Sequence, residues 1–467
     1  MRLSNHSGMI LILAAMLSGV VESSLAQTVS TIHTFNGTNG ETPGVVVLTQ
    51  GRDGWLYGTT CLGGADGLGV VFKQSPAGAQ NVLLHSFGGP EGSCPNGGLS
   101  LGTDGNYYGT AVQGGANGYG TIFKTSPAGN LTVLYNFTGG TDGEYPSAPP
   151  IQASDGNYYG STIEVDPEES TIYKMAPSGS LSTIYTSSAA GGWFIQSALL
   201  QGTDGYLYAT ATLGGAEECG ALLKLTTSGR LISNYSFRCG AMGLSPIGTL
   251  TQDADGNLYG TTLNGGTHAN AGTIFKIDNM LRSITILYDF GATLEDGRGG
   301  YTGLAFGTDG YLYGGTSIGG TAGAGTLYRI STSGTYTELF SFPNLGGQNG
   351  QYPDAALVQG TNGEFYGVTE YGGLDGDGSL YSLNVGLGPF ITFVKSQGRI
   401  GAQVQILGQG LGGSTSATFN GVAATEFTVV SDTFMTAVVP SGATTGPVVV
   451  TTPGGALTSN VSFRIIN

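Results

Sequence analysis

Short runs of apolar residues alternate with glycine-rich polar turns along nearly the whole chain. In one stretch of about 51 residues the apolar runs are 95–101, 107–111, 121–124 and 131–137. They are separated by Asp-Gly, Gly-Gly and Pro-x-Gly segments, which accept the positive φ angles that tight hairpins require. Helical periodicity is absent after residue 27. The pattern therefore predicts units of four antiparallel strands.

One six-residue phrase marks each unit. Its seven copies lie 51, 51, 49, 51, 54 and 53 residues apart, at 53–58, 104–109, 155–160, 204–209, 255–260, 309–314 and 362–367. A unit of this size cannot bury its own apolar face and must pack against its neighbours. Four antiparallel strands repeated radially describe the blade of a β-propeller. A β-solenoid is the alternative, but its rungs are usually shorter and parallel.

The two ends of the repeat array predict that the ring closes. Residues 31–35 resemble the fourth strand of later units, whereas the last unit reaches 379–383 and lacks a fourth strand. We therefore expect residues 30–36 to pair beside 379–383, which leaves no free sheet edge at the joint. This predicts a seven-bladed β-propeller over 28–386.

Strand direction then sorts the connections into two faces. If the four strands alternate in direction, the Asp-Gly and Pro-x-Gly turns lie at one end of the ring, here called the Asp-Gly face. The Gly-Gly loops and the long loops between units lie at the other end, the long-loop face. Most acidic loop residues fall on the long-loop face, which we expect to be strongly acidic.

Composition narrows the class of protein. The 85 glycines follow no G-X-Y period, which excludes collagen, and a hydrophobic fraction of 39% is too high for a disordered chain. A net charge of -16 repels phosphate backbones and anionic membranes, so nucleic acid is not an expected partner. We expect a monomer.

The N-terminus predicts export. Arg2, an apolar run and the small residues around Ala26 are typical of a secretory signal peptide over 1–26. That run is too short to span a bilayer comfortably, and no later stretch is long enough. The mature protein is expected outside the cell or at its surface, and not membrane-spanning.

With the unit spelled out, the repeat resembles a known family. The segments 134–140, 255–262 and 272–276 resemble the GloVer repeat of secreted bacterial proteins of the choice-of-anchor type, and the resemblance covers 30 to about 385. It implies a propeller-like fold with no assigned activity.

A different composition follows residues 386–389. The segments 401–408, 418–424, 439–442 and 448–454 resemble an IPT/TIG domain. This resemblance implies an immunoglobulin-like β-sandwich over 389–467, of a type that mostly serves as a spacer or adhesion accessory. The predicted fold class is all-β: a seven-bladed propeller followed by an immunoglobulin-like (IPT/TIG) sandwich.

Residues that recur in every unit are interpreted as structural. They are the tyrosines Tyr57, Tyr108, Tyr159, Tyr208, Tyr259, Tyr313 and Tyr366, and the third-strand cations Lys73, Lys124, Lys174, Lys224, Lys276 and Arg329. His33 and His85 occupy a slot that holds tyrosine elsewhere, so packing is the simpler interpretation. No catalytic triad, phosphate loop or zinc spacing appears, and no catalytic or metal-binding residue is predicted.

The sharpest departures from the repeat are two acidic loops in the third and fourth units. They supply the candidate binding residues, which are Glu164, Asp166, Glu168, Glu169, Glu217 and Glu218. A cation or basic ligand would explain them, but solvated surface charge is the simpler interpretation. Calcium is a weak second possibility at 253–257 and 375–378, where ordinary turn chemistry also explains the aspartates. No cofactor is predicted.

Export makes the four cysteines candidates for disulfides rather than a metal site, since no CxxC motif accompanies them. Cys219 and Cys239 should face each other across one hairpin, whose register pairs residues with numbers that sum to about 458. Cys61 and Cys94, both on the long-loop face, are paired by elimination.

Three functions fit these observations. The first is a non-enzymatic exported protein that binds a glycan, a protein or the envelope through a propeller face. The second is a propeller lyase or glycosidase acting on polysaccharide with paired carboxylates. The third is a purely structural surface protein. A cleft holding two carboxylates in opposed environments would favour the enzyme.

Overall fold

The computed structural model describes residues 27–44, 47–164, 169–188, 191–293, 295–343 and 350–466. Within these ranges the chain forms β-strands and no α-helix, so the fold is all-β as predicted. The predicted signal peptide, 1–26, lies outside the described residues. No helix in the described part of the chain has the length and apolar character needed to cross a membrane.

Each predicted unit folds as short strands separated by glycine-containing turns. The first three units contain β1 (Thr28–Thr34), β2 (Thr49–Gln50), β3 (Leu56–Thr60), β4 (Val70–Gln74), β5 (Asn81–Ser86), β6 (Leu99–Leu101), β7 (Tyr107–Ala111), β8 (Thr121–Thr125), β9 (Leu131–Asn136), β10 (Ile151–Gln152), β11 (Tyr158–Glu164), β12 (Glu169–Met175) and β13 (Leu181–Ser187).

The next four units continue the pattern, with one extra strand in the fifth and a small ribbon in the sixth. Their strands are β14 (Leu200–Gln201), β15 (Leu207–Ala211), β16 (Ala221–Leu225), β17 (Leu231–Ser236), β18 (Leu244–Pro246), β19 (Thr251–Gln252), β20 (Leu258–Asn264), β21 (Thr273–Ile277), β22 (Ile284–Asp289), β23 (Gly297–Arg298), β24 (Ala305–Phe306), β25 (Leu312–Thr316), β26 (Ile318–Gly319), β27 (Thr326–Ile330), β28 (Tyr336–Ser341), β29 (Val358–Gln359), β30 (Phe365–Thr369) and β31 (Ser379–Asn384).

These strands form seven antiparallel sheets of four or five strands, one for each unit. The seventh sheet has the order β1-β31-β30-β29, so the first strand of the chain supplies its outer edge. Thr31 lies opposite Tyr381 and Thr34 opposite Ser379. The strand that the last unit lacks is therefore supplied by the N-terminus, as the sequence predicts.

The sheets pack on one another in cyclic order. One buried cluster joins the seventh sheet to the first through Phe35, Leu48 and Val368, and comparable clusters join each sheet to the next. Tyr57 and Tyr107 of adjacent sheets stack with ring centroids 3.9 Å apart. The arrangement is β-propeller-like and surrounds a central channel.

A smaller β-sandwich follows the ring. Its strands are β32 (Thr392–Phe393), β33 (Gln397–Gly398), β34 (Gln403–Leu407), β35 (Ser416–Phe419), β36 (Val422–Ala423), β37 (Phe427–Val429), β38 (Phe434–Val438), β39 (Val448–Thr452), β40 (Gly455–Thr458) and β41 (Arg464–Ile465). Two four-stranded sheets, β32-β34-β38-β37 and β36-β35-β39-β40, enclose a core that includes Ile406, Phe419 and Met435.

The sandwich rests on the Asp-Gly face. Equivalent turn carbonyls of three consecutive units each accept a hydrogen bond from it. Gln405 Nε2 donates to Thr103 O at 2.8 Å, Lys395 Nζ donates to Ser154 O at 2.6 Å, and an Arg464 guanidinium nitrogen donates to Thr203 O. Thus the sandwich covers one end of the channel and leaves the long-loop face to solvent.

Candidate functional site

The repeated Asp and Tyr of each unit brace the Asp-Gly turns. Tyr57 donates to Asp53 at 2.7 Å, and Lys73 Nζ lies 3.2 Å from the same carboxylate. The fifth unit departs slightly, because Tyr259 donates to Asp253, which also accepts from the Asn257 backbone and side chain. Equivalent ion pairs form at Lys174 and Lys224. These bonds account for the tyrosine column, for these three lysines and for the Asp253 segment without any ligand.

The histidines have a structural role on the long-loop face. His33 contacts Asn39 at 3.2 Å and His85 contacts Glu91 at 3.1 Å, in the position where Tyr135 of the second unit donates to Asp142 at 3.0 Å. Burial lowers the pKa of His33 to about 4, although the Asn39 contact opposes the shift. This ring is neutral at pH 7 and packs between the fourth strand and the following loop.

The six predicted binding carboxylates do not form a defined site among the described residues. Asp166, Glu168 and the side chain of Glu164 lie outside the described residues. Glu169 is half-buried opposite the backbone of Glu164, and Glu217 and Glu218 are exposed in the next unit. In the described ranges, no three His, Cys, Asp or Glu side chains come together as metal ligands. The acidic-loop site stays a prediction.

The four cysteines are joined in two pairs in the structure, Cys61 with Cys94 and Cys219 with Cys239. The hairpin that carries the second pair has residue numbers that sum to 457, because Leu222 lies opposite Tyr235. This register is one residue from the predicted sum, and the pair still meets across the hairpin with a Cα separation of 5.5 Å.

The central channel has a wide apolar chamber at the sandwich end. The chamber has a volume of about 410 Å³ and is lined by leucine, valine and proline side chains of the inner strands. Phe393, Val394 and Leu407 of the sandwich form its floor. Since the sandwich lies across this end, the chamber communicates with the long-loop face through a narrower mouth.

The mouth is lined by one equivalent residue from each of several units. In each of these units a residue with positive φ, such as Tyr145 or Tyr352, is followed by a proline or by another residue in the same position. The residue after that position borders the channel. The mouth residues of the third to seventh units are Ser147, Gln196, Ile247, Tyr301 and Asp354. Between them lies a volume of about 60 Å³, which admits a few waters or one hydroxymethyl-sized group.

One sector of the mouth is chemically distinct. Asp354 of the seventh unit faces Glu370, which directly follows β30 of the same unit. Burial raises the pKa of Asp354 to about 7, and the charge of Glu370 contributes to the rise, while Ser317 opposes it. Like charges at close range cannot both ionise easily, so the pair holds a proton near neutral pH.

Asp354 Oδ1 is a buried oxygen atom without a hydrogen-bond partner in good geometry. Ser317 Oγ and Tyr381 OH are also among the ten such atoms in the described part of the chain, but the tyrosines that hold the place of Tyr381 in the third and sixth units, Tyr173 and Tyr328, are unpaired as well. Ser317 is only 4% exposed, and the pKa of Tyr381 is raised by burial and by the charge of Asp354. Buried polar groups are usually satisfied, so the unpaired oxygen of Asp354 requires an explanation.

Exposed apolar side chains surround the same sector. Tyr301, Ile318, Tyr371 and Leu374 are 37%, 46%, 44% and 68% exposed. All belong to the sixth and seventh units, on the long-loop face. Aromatic and apolar surface next to a few converging polar groups is typical of ligand sites.

The sequence marks this sector by single charged residues rather than by a run of them. Aligning the units on the residue after the proline gives Asn96, Ser147, Gln196, Ile247, Tyr301 and Asp354, in which Asp354 is the one charged member. Glu370 is likewise the one charged residue in the slot held by Cys61, Val112, Ile163, Thr212, Leu263 and Ser317. Asp354 and Glu370 occupy two different positions of the repeat, and they come together only when the unit folds.

Several solved structures are similar to this chain at low sequence identity. An oligogalacturonate lyase from Vibrio parahaemolyticus aligns with a TM-score of 0.49 and 11% identity, over 76% of this chain and 93% of that one. A periplasmic gluconolactonase from Pseudomonas aeruginosa aligns with a TM-score of 0.45 and 17% identity, over 71% and 97%. PorZ, a surface component of the type-IX secretion system of Porphyromonas gingivalis, gives 0.43 and 14%, over 89% and 58%.

No protein of curated function matches the sequence. The pattern of the Gloeobacter/Verrucomicrobia repeat, in contrast, matches twice, at residues 18–168 and 140–305. Together the two matches cover well over half of the 467 residues and span the first five units. The chain belongs to the family of proteins built from the Gloeobacter/Verrucomicrobia repeat.

Proposed function

We propose that this protein is an exported, non-enzymatic binding protein: a seven-bladed β-propeller that holds its ligand at the channel mouth on the long-loop face. The C-terminal IPT/TIG-type sandwich is proposed to be the spacer that closes the opposite end. The observation that carries the proposal is the mouth itself. Packing residues recur from unit to unit, whereas the mouth residues differ in every unit and combine amide, hydroxyl, phenol and carboxyl groups.

The closed end of the channel supports this location. Arg52 Nη2 donates to Gln405 Oε1 at 2.8 Å, and Thr433 Oγ1 donates to Arg52 O at 2.7 Å, so the sandwich is fixed to the Asp-Gly face by several hydrogen bonds. A ligand from outside therefore meets the long-loop face first. Because the mouth is small, the ligand inserts one small group and rests the remainder on the surrounding loops.

The carboxyl pair makes a polysaccharide-cleaving enzyme the second candidate. However, the Asp354 and Glu370 side chains interact directly. Glycosidases of the usual kind keep their two carboxyl groups about 5 to 9.5 Å apart, which leaves room for the sugar carbon or the attacking water. A pair in direct contact suits ligand binding better than that chemistry.

A binding and turnover experiment tests the proposal. The mature protein is screened on a glycan array and assayed for release of sugars from plant and bacterial polysaccharides. Ser147→Trp fills the mouth from the third unit, and Gln196→Ala removes an amide there without adding volume. The matched control is Ser178→Trp, because Ser178 is exposed in the same unit on the Asp-Gly face.

We expect selective binding without turnover, a loss of at least about tenfold in affinity for Ser147→Trp, and no change for Ser178→Trp. Ligand bound equally well by both tryptophan variants would contradict a site at the mouth. Sugar release that disappears in Asp354→Asn would instead establish the enzyme.

A further inference from the structure

We infer that the Asp354–Glu370 pair anchors a neutral saccharide by two adjacent hydroxyl groups, with Asp354 as the hydrogen-bond donor and Glu370 as the acceptor. This rests on the proposed function, since it names the ligand class of the same site. Geometry places the pair at the mouth: Asp354 and the Tyr301 ring border it, and the Glu370 backbone N–H donates to Tyr352 O at 3.0 Å, two residues before Asp354.

The protonation state of the pair makes it suited to hydroxyl groups. Asp354 is buried and faces a second carboxyl group, so one proton is retained near neutral pH. In the free protein this proton lies between the two carboxyl groups. A sugar that binds between them accepts the single O–H hydrogen bond of the acid and donates to the carboxylate. Two neighbouring hydroxyls of a sugar, one accepting and one donating, complement this pair.

The surroundings select against charged sugars. The chain has a net charge of -16, and the pair itself retains one negative charge, so a uronate or phosphate would be repelled. Tyr301 and Tyr371 border the pair with partly exposed rings, and the pKa of both phenols is raised, partly by the charge of Glu370. These rings offer an apolar surface for the face of a sugar ring.

The groups that act on Asp354 are few. Glu370 raises its pKa and Ser317 lowers it, while Tyr301, Tyr371 and Tyr381 are the phenols that experience its charge. The Asp354 proton is lost as the pH rises through about 7. The site then loses its donor and gains a second negative charge, so affinity for a neutral sugar must fall.

Titration with defined probes tests the inference. The mature protein is titrated at pH 6 and pH 8 with cellohexaose, xylohexaose and mannohexaose as neutral probes, with hexagalacturonate, and with calcium chloride alone. The variants are Asp354→Asn and Glu370→Gln. Asp375→Asn is the matched control, because Asp375 is exposed in a loop of the same unit.

We expect at least one neutral probe to bind and its affinity to fall about tenfold between pH 6 and pH 8, because the protonated fraction of a group with a pKa near 7 falls by that factor. Asp354→Asn keeps a donor that does not titrate, so its affinity should be the same at both pH values. Glu370→Gln removes the charge that helps to hold the proton, so the fall should move to lower pH. Asp375→Asn should follow the unmodified protein.

Three results would overturn the inference. One is failure of all three neutral probes to bind. Another is affinity that is independent of pH and unaffected by Asp354→Asn; if Ser147→Trp still abolished binding, the mouth would remain the site and only the role of the pair would be wrong. The third is tighter binding of hexagalacturonate or calcium at pH 8, which would make this an anion or cation site.

Discussion

A protein that begins at residue 38 should lose at least about 5 kcal/mol of unfolding free energy, if it folds at all. The truncation removes β1, which is the outer strand of the seventh sheet and pairs with β31. It also removes Phe35, which is fully buried and packs against Phe72 with ring centroids 5.3 Å apart. Loss of a buried phenylalanine side chain alone costs about 3–5 kcal/mol, and the lost ladder leaves an unpaired sheet edge.

Urea denaturation followed by circular dichroism measures this loss. Ser30→Ala is the control within the same strand, because Ser30 is exposed, and its change should stay within about 0.5 kcal/mol. Phe35→Ala in the full chain separates the buried ring from the strand and should account for part of the loss. An unchanged denaturation midpoint for the truncated protein would show that the N-terminal strand does not close the ring.

Gly229→Ala should be the most destabilising single-methyl addition in the fourth unit, at about 2–5 kcal/mol. Gly229 ends a turn with φ of +86°, and a Cβ atom there would collide with the carbonyl group of Ile184 in the neighbouring sheet. The equivalent turn glycines Gly129, Gly179 and Gly334 approach Leu84, Leu134 and Leu287 in the same way. The left-handed conformation costs an alanine about 1–2 kcal/mol, and the collision adds about 1–3 kcal/mol.

Gly205→Ala is a closely matched control for the same measurement. Gly205 also has φ of +86° and lies in the same unit, but a Cβ atom there would meet nothing within 4 Å. It should lose only the conformational part, about 1–2 kcal/mol. Equal losses in thermal or urea denaturation would mean that close contact between neighbouring sheets at this turn does not limit stability.

The ring was predictable because its determinants recur. Each unit carries the same turn glycine, and in six of the seven units the repeated tyrosine donates to an aspartate of the turn, whereas in the seventh Tyr366 accepts from Asn362. Closure followed from counting strands, since the chain has one extra at its start and lacks one at its end. The docking of the sandwich could not be read in this way. Lys395 and Arg464 meet the carbonyls of Ser154 and Thr203, and nothing in those turn sequences distinguishes a covered turn from an exposed one.

The sequence pointed to the acidic loops, whereas the structure draws attention to the channel mouth. Runs of acidic residues such as Glu217 and Glu218 attract attention in a sequence, but in the structure these two side chains are exposed. The chemistry of Asp354 and Glu370 depends instead on burial and on a partner 16 positions away, beyond two strands and the turn between them. One charged residue at a repeat position that is neutral in the other units is harder to notice than a run of charges. In this protein, however, it lies in the more deeply buried environment.

Hydrogen–deuterium exchange with and without a bound oligosaccharide tests the location of the ligand site most directly. We expect slower exchange on binding in segments around 299–301, 351–354 and 369–374, which border the mouth in the sixth and seventh units. We expect no change in the Asp-Gly turns beneath the sandwich. Protection confined to 164–169 and 217–218, or to the Asp-Gly face, would contradict a ligand site at the channel mouth.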